Sequence, residues 1–599
     1  MGGLPDIPNE SALSRLFQQE RVQENSIWFS LPGGQTLFFA GDRSEQLFFV
    51  RAGRLGAFRR EQGQEVQFLG VIRPGEPAGE MSLIADAPHS ADVVALRDSE
   101  IIAVPKEIFF EACENDTGVM IELAKLMMLR SRQAATRGGV GEPTVFGFVP
   151  LGQAGALRPL VERISREIAK LDYSVTVLGA EAQTAPTEWF SEVERTHDFV
   201  LYVAEAADGG WRNVVARQVD RLFRVARGDK QPPRPEQVAE MVSPLQAQNL
   251  VDLVLIHPAD THAPHGSEAW MDAVEPARIF HLRRDRLADV QRIARVLTGQ
   301  SVGLVLSGGG ARAYAHIGAV RALRERGIPI DFVGGVSMGA IVAAAVAMGW
   351  EEEEMDRRIH EAFVDTSPLD DIAVPLLAMT HGIKVSERLA HHFGDTHIAD
   401  LWLPFFCLSS NLTTGAYQLH RRGLLRKALR ATISLPGILP PANDGQNVLV
   451  DGAVMKNFPA DVMRAAQLGP IVGVDVTTGR SITADDVARP SSVWRWIWSG
   501  QWRKGPPIVS LLMRAATVST SRDVAAAREA TDLLVLPDVG KVEIRDFSAY
   551  DPAVAEGYRA TIEALDKLTR PVQALRRRLS IDDQKAIKSA SPAVQVKAL

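Results

Sequence analysis

The stretch Gly303 to Gly339, GLVLSGGGARAYAHIGAVRALRERGIPIDFVGGVSMG, limits what this chain can fold into more than any other. It repeats one design twice: an apolar run, a glycine-rich break, then residues at helical spacing. In the first unit Val302 to Leu306 reads as a buried strand, Ser307-Gly308-Gly309-Gly310 breaks it, and Ala311 to Arg324 resumes as a helix. In the second, Ile330 to Gly334 is the strand, and Gly335-Val336-Ser337-Met338-Gly339 turns into the apolar helix Ala340 to Met348. Strand and helix alternating in this way predict an α/β fold with a parallel sheet.

Each break carries a chemical expectation. A turn without Cβ atoms can aim successive N–H groups at one point, and the helix that follows adds unpaired donors and a positive dipole end. Gly308, Gly309 and Gly310 therefore suit an anion or a developing oxyanion. The second break is G-x-S-x-G between a strand and a helix. There Gly335 and Gly339 let strand and helix approach closely, and Ser337 is left exposed as a nucleophile.

A serine nucleophile needs a base. His316, His360, His381, His391, His392, His397 and His420 are available, but none has a local setting that marks it. His316 lies on the helix after the nest and reads as a packing or positioning residue. The pair His391-His392 reads as a solvated helix face. Asp451 is the better candidate: Val448-Leu449-Val450 is a buried-strand run that delivers this carboxylate at its end, with Gly452 allowing close approach. A simple Asp-Gly turn is the plain alternative.

Ser307-Gly308-Gly309-Gly310-Ala311-Arg312, Gly335-Val336-Ser337-Met338-Gly339 and Asp451-Gly452-Ala453 resemble, in order, the three signatures of the patatin-like phospholipases. Ser434 to Pro441 and Asn457-Phe458-Pro459 are similar to the same family. The resemblance implies a Ser337/Asp451 dyad without histidine, Asp451 as base, and an oxyanion hole from Gly308 to Gly310 assisted by Arg312. It also supplies the substrate class: a lysophospholipid or other acyl ester, hydrolysed through an acyl-enzyme without a cofactor or metal. Ala313 stands where the family pattern usually has glycine, a change expected to alter packing more than chemistry. A rival reading takes Gly308 to Ala313 as a dinucleotide fingerprint with Asp331 as the ribose acid. Position argues against it, because Asp331 begins the second strand instead of ending it.

Upstream, short apolar runs from about residue 25 to 105 alternate with turns and indicate a small β roll. Gly53 to Phe58, Gly79-Glu80-Met81-Ser82-Leu83 and Ala87-Pro88-His89-Ser90-Ala91 resemble a cyclic nucleotide-binding domain, with the helix Lys106 to Gln133 after it. The resemblance implies a ligand site at Gly79, Glu80, His89 and Ser90, with a cyclic nucleotide as regulator. His89 occupies the position of the phosphate-binding arginine and lacks its bidentate fork and permanent charge. A degenerate domain kept for packing or assembly is the competing expectation.

From Thr144 to His257 strands alternate with helices as a central α/β segment, and Val149 to Gly155 lacks the lysine of a P-loop. Phe280 to Gly299, running into the nest, resembles bacterial relatives of neuropathy target esterase. The expected domains are 1–138, the cyclic nucleotide-binding-like roll with helices; 139–299, the central α/β domain; 300–570, the α/β patatin-like hydrolase; and 571–599, a last helix and polar tail. A nucleotide-responsive scaffold with a degenerate hydrolase domain is the alternative function.

Net charge is −7, which gives no support to nucleic-acid binding, and the only cysteines, Cys113 and Cys407, are too few for a disulfide framework. No uncharged span approaches 18 residues, and the first residues show no leader pattern, so the expectation is a cytoplasmic protein, soluble or peripheral on the inner membrane. Trp494, Trp496, Trp498 and Trp502, beside Arg495, Arg503 and Lys504, suit a lipid interface or, equally, a partly buried loop or a dimer contact in a homo-oligomer.

Overall fold

A computed structural model of the chain describes residues 12–59, 67–135, 143–185, 187–234, 250–365, 371–373, 378–477 and 521–583. The four tryptophans between 494 and 502 lie outside them. Two compact units are present. One comprises Met1–Ile256, Ala273–Thr298 and Arg578–Leu599, the other His257–Asp272 and Gly299–Arg577.

In the first unit two short helices, Ala12–Leu16 and Glu20–Asn25, precede a β roll of two four-stranded sheets, ordered β1-β8-β3-β6 and β2-β7-β4-β5. Its strands are β1 (Ile27–Leu31), β2 (Thr36–Phe38), β3 (Gln46–Ala52), β4 (Leu55–Arg59), β5 (Gln67–Ile72), β6 (Pro77–Ala78), β7 (Asp92–Ala95) and β8 (Ser99–Pro105). The helices Lys106–Asn115 and Thr117–Ala135 follow. Next comes a six-stranded sheet, ordered β10-β11-β9-β12-β13-β14. It is built from β9 (Val145–Pro150), β10 (Val175–Leu178), β11 (Phe199–Val203), β12 (Arg221–Arg227), β13 (Val251–His257) and β14 (Ile279–Arg283). β9 is buried at all six positions, as expected of a strand covered on both faces.

Roll and sheet share one core. Phe58, Val71, Val94 and Leu96 of the roll pack in one cluster with Val145, Tyr202, Trp211 and Val215. Buried ion pairs close the seam: Arg54 meets Asp220 and Glu194, and Arg97 donates to Glu194 Oε1 at 2.7 Å. Each carboxylate has further partners; Asp220 accepts from the amides of Thr144 and Val145 at 2.9 and 3.0 Å. Paired and hydrogen-bonded in this way, the charges can stay buried.

The second unit is organised on an eight-stranded sheet, β19-β20-β17-β16-β15-β21-β22, with β18 also paired to β17. Its strands are β15 (Gly303–Leu306), β16 (Phe332–Val336), β17 (Phe405–Asn411), β18 (Ala416–His420), β19 (Ala442–Asn443), β20 (Val448–Asp451), β21 (Ile471–Val474) and β22 (Leu533–Val535). The centre is parallel, β17-β16-β15-β21-β22, and the margin carrying β18, β19 and β20 is antiparallel. The strand expected at Ile330 begins at Phe332 and runs to Val336. Asp331, ahead of it, is buried and accepts from Val302 N–H at 3.0 Å, tying two strand starts together.

Helix Met338–Ala347 is buried at all ten positions. Alanine and small β-branched residues fill it, so it can lie close to the strands without leaving voids. The adjoining core runs through Leu304, Leu306, Ile341, Val346, Met355 and Phe405. Among the described residues no helix is long and apolar enough to cross a membrane.

Candidate active site

The register of β17 explains how two residues 114 positions apart come to touch. Along one edge of β17, β16 pairs parallel through Val336 to Leu408, and β20 pairs antiparallel with Asp451 opposite Ser409. The two strands run toward each other on that edge and stop at neighbouring residues of β17. The residue that follows Val336 is Ser337, so it emerges beside Asp451.

Ser337 then has to reverse the chain into the helix. It does so at φ 53° and ψ −132°, a conformation that costs a non-glycine residue about 1–3 kcal/mol. Its backbone is held there by Thr432, whose Oγ1 accepts from Ser337 N–H at 2.9 Å and donates to Leu408 O. Close packing leaves no choice at the flanks. A Cβ on Gly335 would lie 2.8 Å from Gly339 C, and one on Gly339 would lie 2.4 Å from Ser307 O.

Ser337 Oγ donates to Asp451 Oδ2 at 2.6 Å, with both residues buried. Asp451 Oδ1 accepts from Ala453 N–H at 2.9 Å. Burial pushes the Asp451 carboxyl up to about 6, against the opposing pull of these two hydrogen bonds. The backbone of Asp451 is fixed as well: its N–H donates to Ser434 O, and its carbonyl accepts from Ser410 Oγ, both at 2.9 Å. Thr432, Ser434 and Ser410 are the residues that motif reading missed. Ser434 begins the stretch Ser434 to Pro441, but nothing local distinguishes the other two.

The histidines are placed elsewhere. His316 is buried, its Nε2 donates to Ser307 O at 2.8 Å, and burial pushes it down to about 4, so it braces the nest as a neutral ring. His420 Nε2 meets Ser409 Oγ at 2.8 Å and is likewise pushed down to about 4 by burial. Among the described residues no histidine is hydrogen-bonded to Ser337.

The nest is narrower than the glycine run suggests. Gly308 N–H donates to Asn457 O at 3.3 Å, and Ala311 N–H to Ile544 O at 2.8 Å. The amides of Gly309 and Gly310 have no protein acceptor among the described residues. Gly310 sits at φ 57°, where an added Cβ would stand 2.3 Å from Ile544 O. Arg312 does not reach out freely: its Nε donates to Val542 O at 2.7 Å. Ala313, in place of the expected glycine, is fully buried.

Residues 304–464 match the patatin-like phospholipase family, 28–116 the cyclic nucleotide-binding domain, and 161–283 the neuropathy target esterase family P-loop like domain. An uncharacterized NTE family protein of Mycobacterium tuberculosis (strain CDC 1551 / Oshkosh) is 30% identical over 588 residues, covering 95% of this chain and 96% of that one. The chain belongs to the NTE family. Lysophospholipase NTE1 of Cryptococcus neoformans var. neoformans serotype D is 30% identical over 549 residues, 79% of this chain and 34% of that much longer protein. Among solved structures, the catabolite activator protein of Thermus thermophilus aligns with 26% of this chain and 70% of its own, at 25% identity and a TM-score of 0.19.

In this NTE family chain the roll keeps the expected turn. Gly79 is at φ 86°, and Glu80 is buried at the start of helix Glu80–Ala85. His89 is buried and stacked on Phe38, ring centroids 3.7 Å apart, with its N–H on Asp42 O at 2.9 Å. Burial lowers its pKa, which leaves the ring neutral. Ser90 is exposed.

Two other features of the hydrolase unit stand apart from Ser337 and Asp451. A cavity of about 300 Å³ is lined by His265, Met348, Asp395, Asp400, Leu401 and Trp402. Glu361, His391 and His392 bring ligand-type atoms within 4.8 Å of one another, the one such group among the described residues. His392 is buried, contrary to the solvated face expected for the pair, while His391 is exposed.

Proposed function

We propose that this chain is a serine carboxylic ester hydrolase acting on lysophospholipids, with Ser337 as nucleophile and Asp451 as its base. The observation that carries the reading is the 2.6 Å hydrogen bond from Ser337 Oγ to a carboxylate that burial has made more basic. The family it belongs to and the name of its fungal relative support the lipid substrate.

The chemistry follows from the groups present. Ionised Asp451 takes the proton as Ser337 Oγ attacks the ester carbonyl. The amides of Gly309 and Gly310, at the start of a helical turn, receive the oxyanion. The protonated Asp451 returns its proton to the leaving alcohol, and water then opens the acyl-enzyme by the same steps in reverse. A carboxylate is a weak base for a hydroxyl, and both the short charge-assisted bond and the raised pKa act to offset that weakness. The strained backbone at Ser337 keeps Oγ in place through both steps.

The test is release of fatty acid from lysophosphatidylcholine, with labelling by a fluorescent alkyl phosphonate. Wild type is expected to hydrolyse the lipid and to label, and Ser337→Ala to do neither. Labelling that persists in Ser337→Ala would place the nucleophile elsewhere, and full activity in Asp451→Asn would remove Asp451 as base.

A further inference from the structure

Asn457 grips the nest from outside it. It follows the Asp451 turn, is 9% exposed, and engages both ends of Gly308: its backbone carbonyl accepts from Gly308 N–H at 3.3 Å, and its Nδ2 donates to Gly308 O at 3.2 Å. A peptide group is planar and trans, so its C=O and N–H point in opposite directions. Holding Gly308 O on Asn457 therefore aims the next amide, Gly309 N–H, away from Asn457. That amide is one of the two in the nest without a protein acceptor among the described residues.

The side chain can sit only one way round. Turning the amide over would set its oxygen against Gly308 O, two acceptors without a proton between them. In the orientation present, Oδ1 is buried and makes no hydrogen bond. The place a Cβ on Gly308 would take is 2.5 Å from Oδ1 and 3.1 Å from Ser337 Cβ. Asn457, Gly308 and Ser337 thus meet at one point. A buried acceptor left unpaired is unfavourable, so the contact is poorly explained as a device for stability alone.

We propose that Asn457 is a positioning residue for the reaction, which orients Gly309 N–H toward the oxyanion and does not touch the substrate. The inference rests on the reading of Ser337 as the nucleophile. It assigns the side chain a role separate from that of Asp451, since it acts on the acceptor of charge and not on the proton.

The experiment compares wild type with Asn457→Leu, similar in size without polar atoms, and Asn457→Ser, which is smaller and keeps the backbone bond to Gly308. An alkyl trifluoromethyl ketone serves as the probe. Ser337 Oγ adds to its carbonyl carbon, the serine proton passes to Asp451, and the carbonyl oxygen becomes an alkoxide in the nest. Loss of one oxyanion donor typically lowers kcat by roughly 100-fold. We expect kcat/KM on lysophosphatidylcholine to fall and Ki of the ketone to rise by the same factor, up to roughly 100-fold. KM and the midpoint of the pH profile should stay in place. Ki unchanged in both variants, with wild type inhibited, would overturn the role of Asn457 and leave the nucleophile standing. A Ki that rises with an equal rise in KM would reduce the residue to a part of the fold. Wild type that neither labels with phosphonate nor binds the ketone would sink the serine-hydrolase reading, and this inference with it.

Discussion

The hydrolase unit and the β roll each keep a glycine-dependent turn that resembles a family site, yet their side chains are treated in opposite ways. At Ser337 the backbone is forced to φ 53°, and the hydroxyl meets a buried carboxylate brought from another strand. At His89 the ring is turned inward onto Phe38, and burial keeps it neutral. One site holds polar groups in a costly arrangement, and the other has let its polar group relax into an apolar stack. Strain and burial of charge persist where the surrounding structure enforces them, and such places are candidates for function. A motif locates a turn; the partners of its side chain say what the turn is poised to do.

The most severe way to break the comparison is to remove the poised groups. In enzymes of this general kind, loss of a nucleophile or base costs about 10⁴-fold or more in kcat. Ser337→Ala and Asp451→Asn are each expected to lose lipid hydrolysis on that scale, with circular dichroism showing an unchanged fold. The double variant should be no worse than either single one, because the two residues act as a unit.

The raised carboxyl gives the next largest effect, and it has two signs. Activity requires ionised Asp451, so kcat/KM should rise about tenfold per pH unit below about 6 and level off above it. Stability should move the other way. Between its ordinary value of 3.8 and about 6, the folded carboxyl binds a proton that the unfolded one has released, so unfolding free energy falls as pH rises through this window and is flat beyond it. Two pH units correspond to roughly 3 kcal/mol, lost by wild type and not by Asp451→Asn. Thermal unfolding should therefore find Asp451→Asn the more stable protein at pH 8, with the gap closing near pH 4. A variant less stable than wild type at pH 8 would show that the carboxylate is not penalised by burial.

Thr432→Val should have a smaller effect. The substitution keeps the shape and removes the hydroxyl that accepts Ser337 N–H at 2.9 Å, leaving a buried amide unpaired at a cost of about 1–3 kcal/mol. A lower melting temperature and roughly tenfold slower phosphonate labelling are expected, with Thr432→Ser restoring the rate. Equal rates in all three proteins would mean that the elbow holds its strain without help from Thr432.

The sequence makes the elbow, the nest and the end of β20 legible because each depends on a few consecutive residues: small residues where backbones cross, an apolar run before, helical spacing after. Why Ser337 meets Asp451 is not local. It depends on two strands sharing one edge of β17, which no spacing in the sequence announces. The contacts of Thr432 and Asn457 are hidden for the same reason, since they span 95 and 149 positions. The glycine run also overstated the nest, because an amide counted as free by its residue type can be taken by a distant carbonyl, as at Gly308. The fold of the hydrolase unit was clear in outline from alternating strands and helices. The assignment of His257–Asp272 to that unit was not, since it rests on contacts distant in sequence, such as Ser267 N–H to Asp400 Oδ1 at 2.8 Å and Trp402 Nε1 to His262 O at 3.1 Å.

The smallest expected effect tests the other side of the comparison. If the roll has lost its ligand, cyclic AMP titrated into the whole chain should give no saturable heat, and lipid hydrolysis should change less than twofold. The reason is physical: an anionic phosphate needs a positive partner, and a neutral histidine packed against Phe38 with its backbone tied to Asp42 supplies neither charge nor a free donor fork. Acid should not rescue it at first, since a pKa lowered by burial means the ring resists protonation below the ordinary range while the roll stays folded. Saturable binding by wild type would require His89 to leave its stack, and the absence of such binding in Phe38→Ala or His89→Ala would separate a mobile sensor from a roll kept for its packing against the central sheet. In the second case the buried Arg54 and Arg97 contacts, not a nucleotide, hold the roll in place, and Arg97→Met should lower the melting temperature without altering kcat.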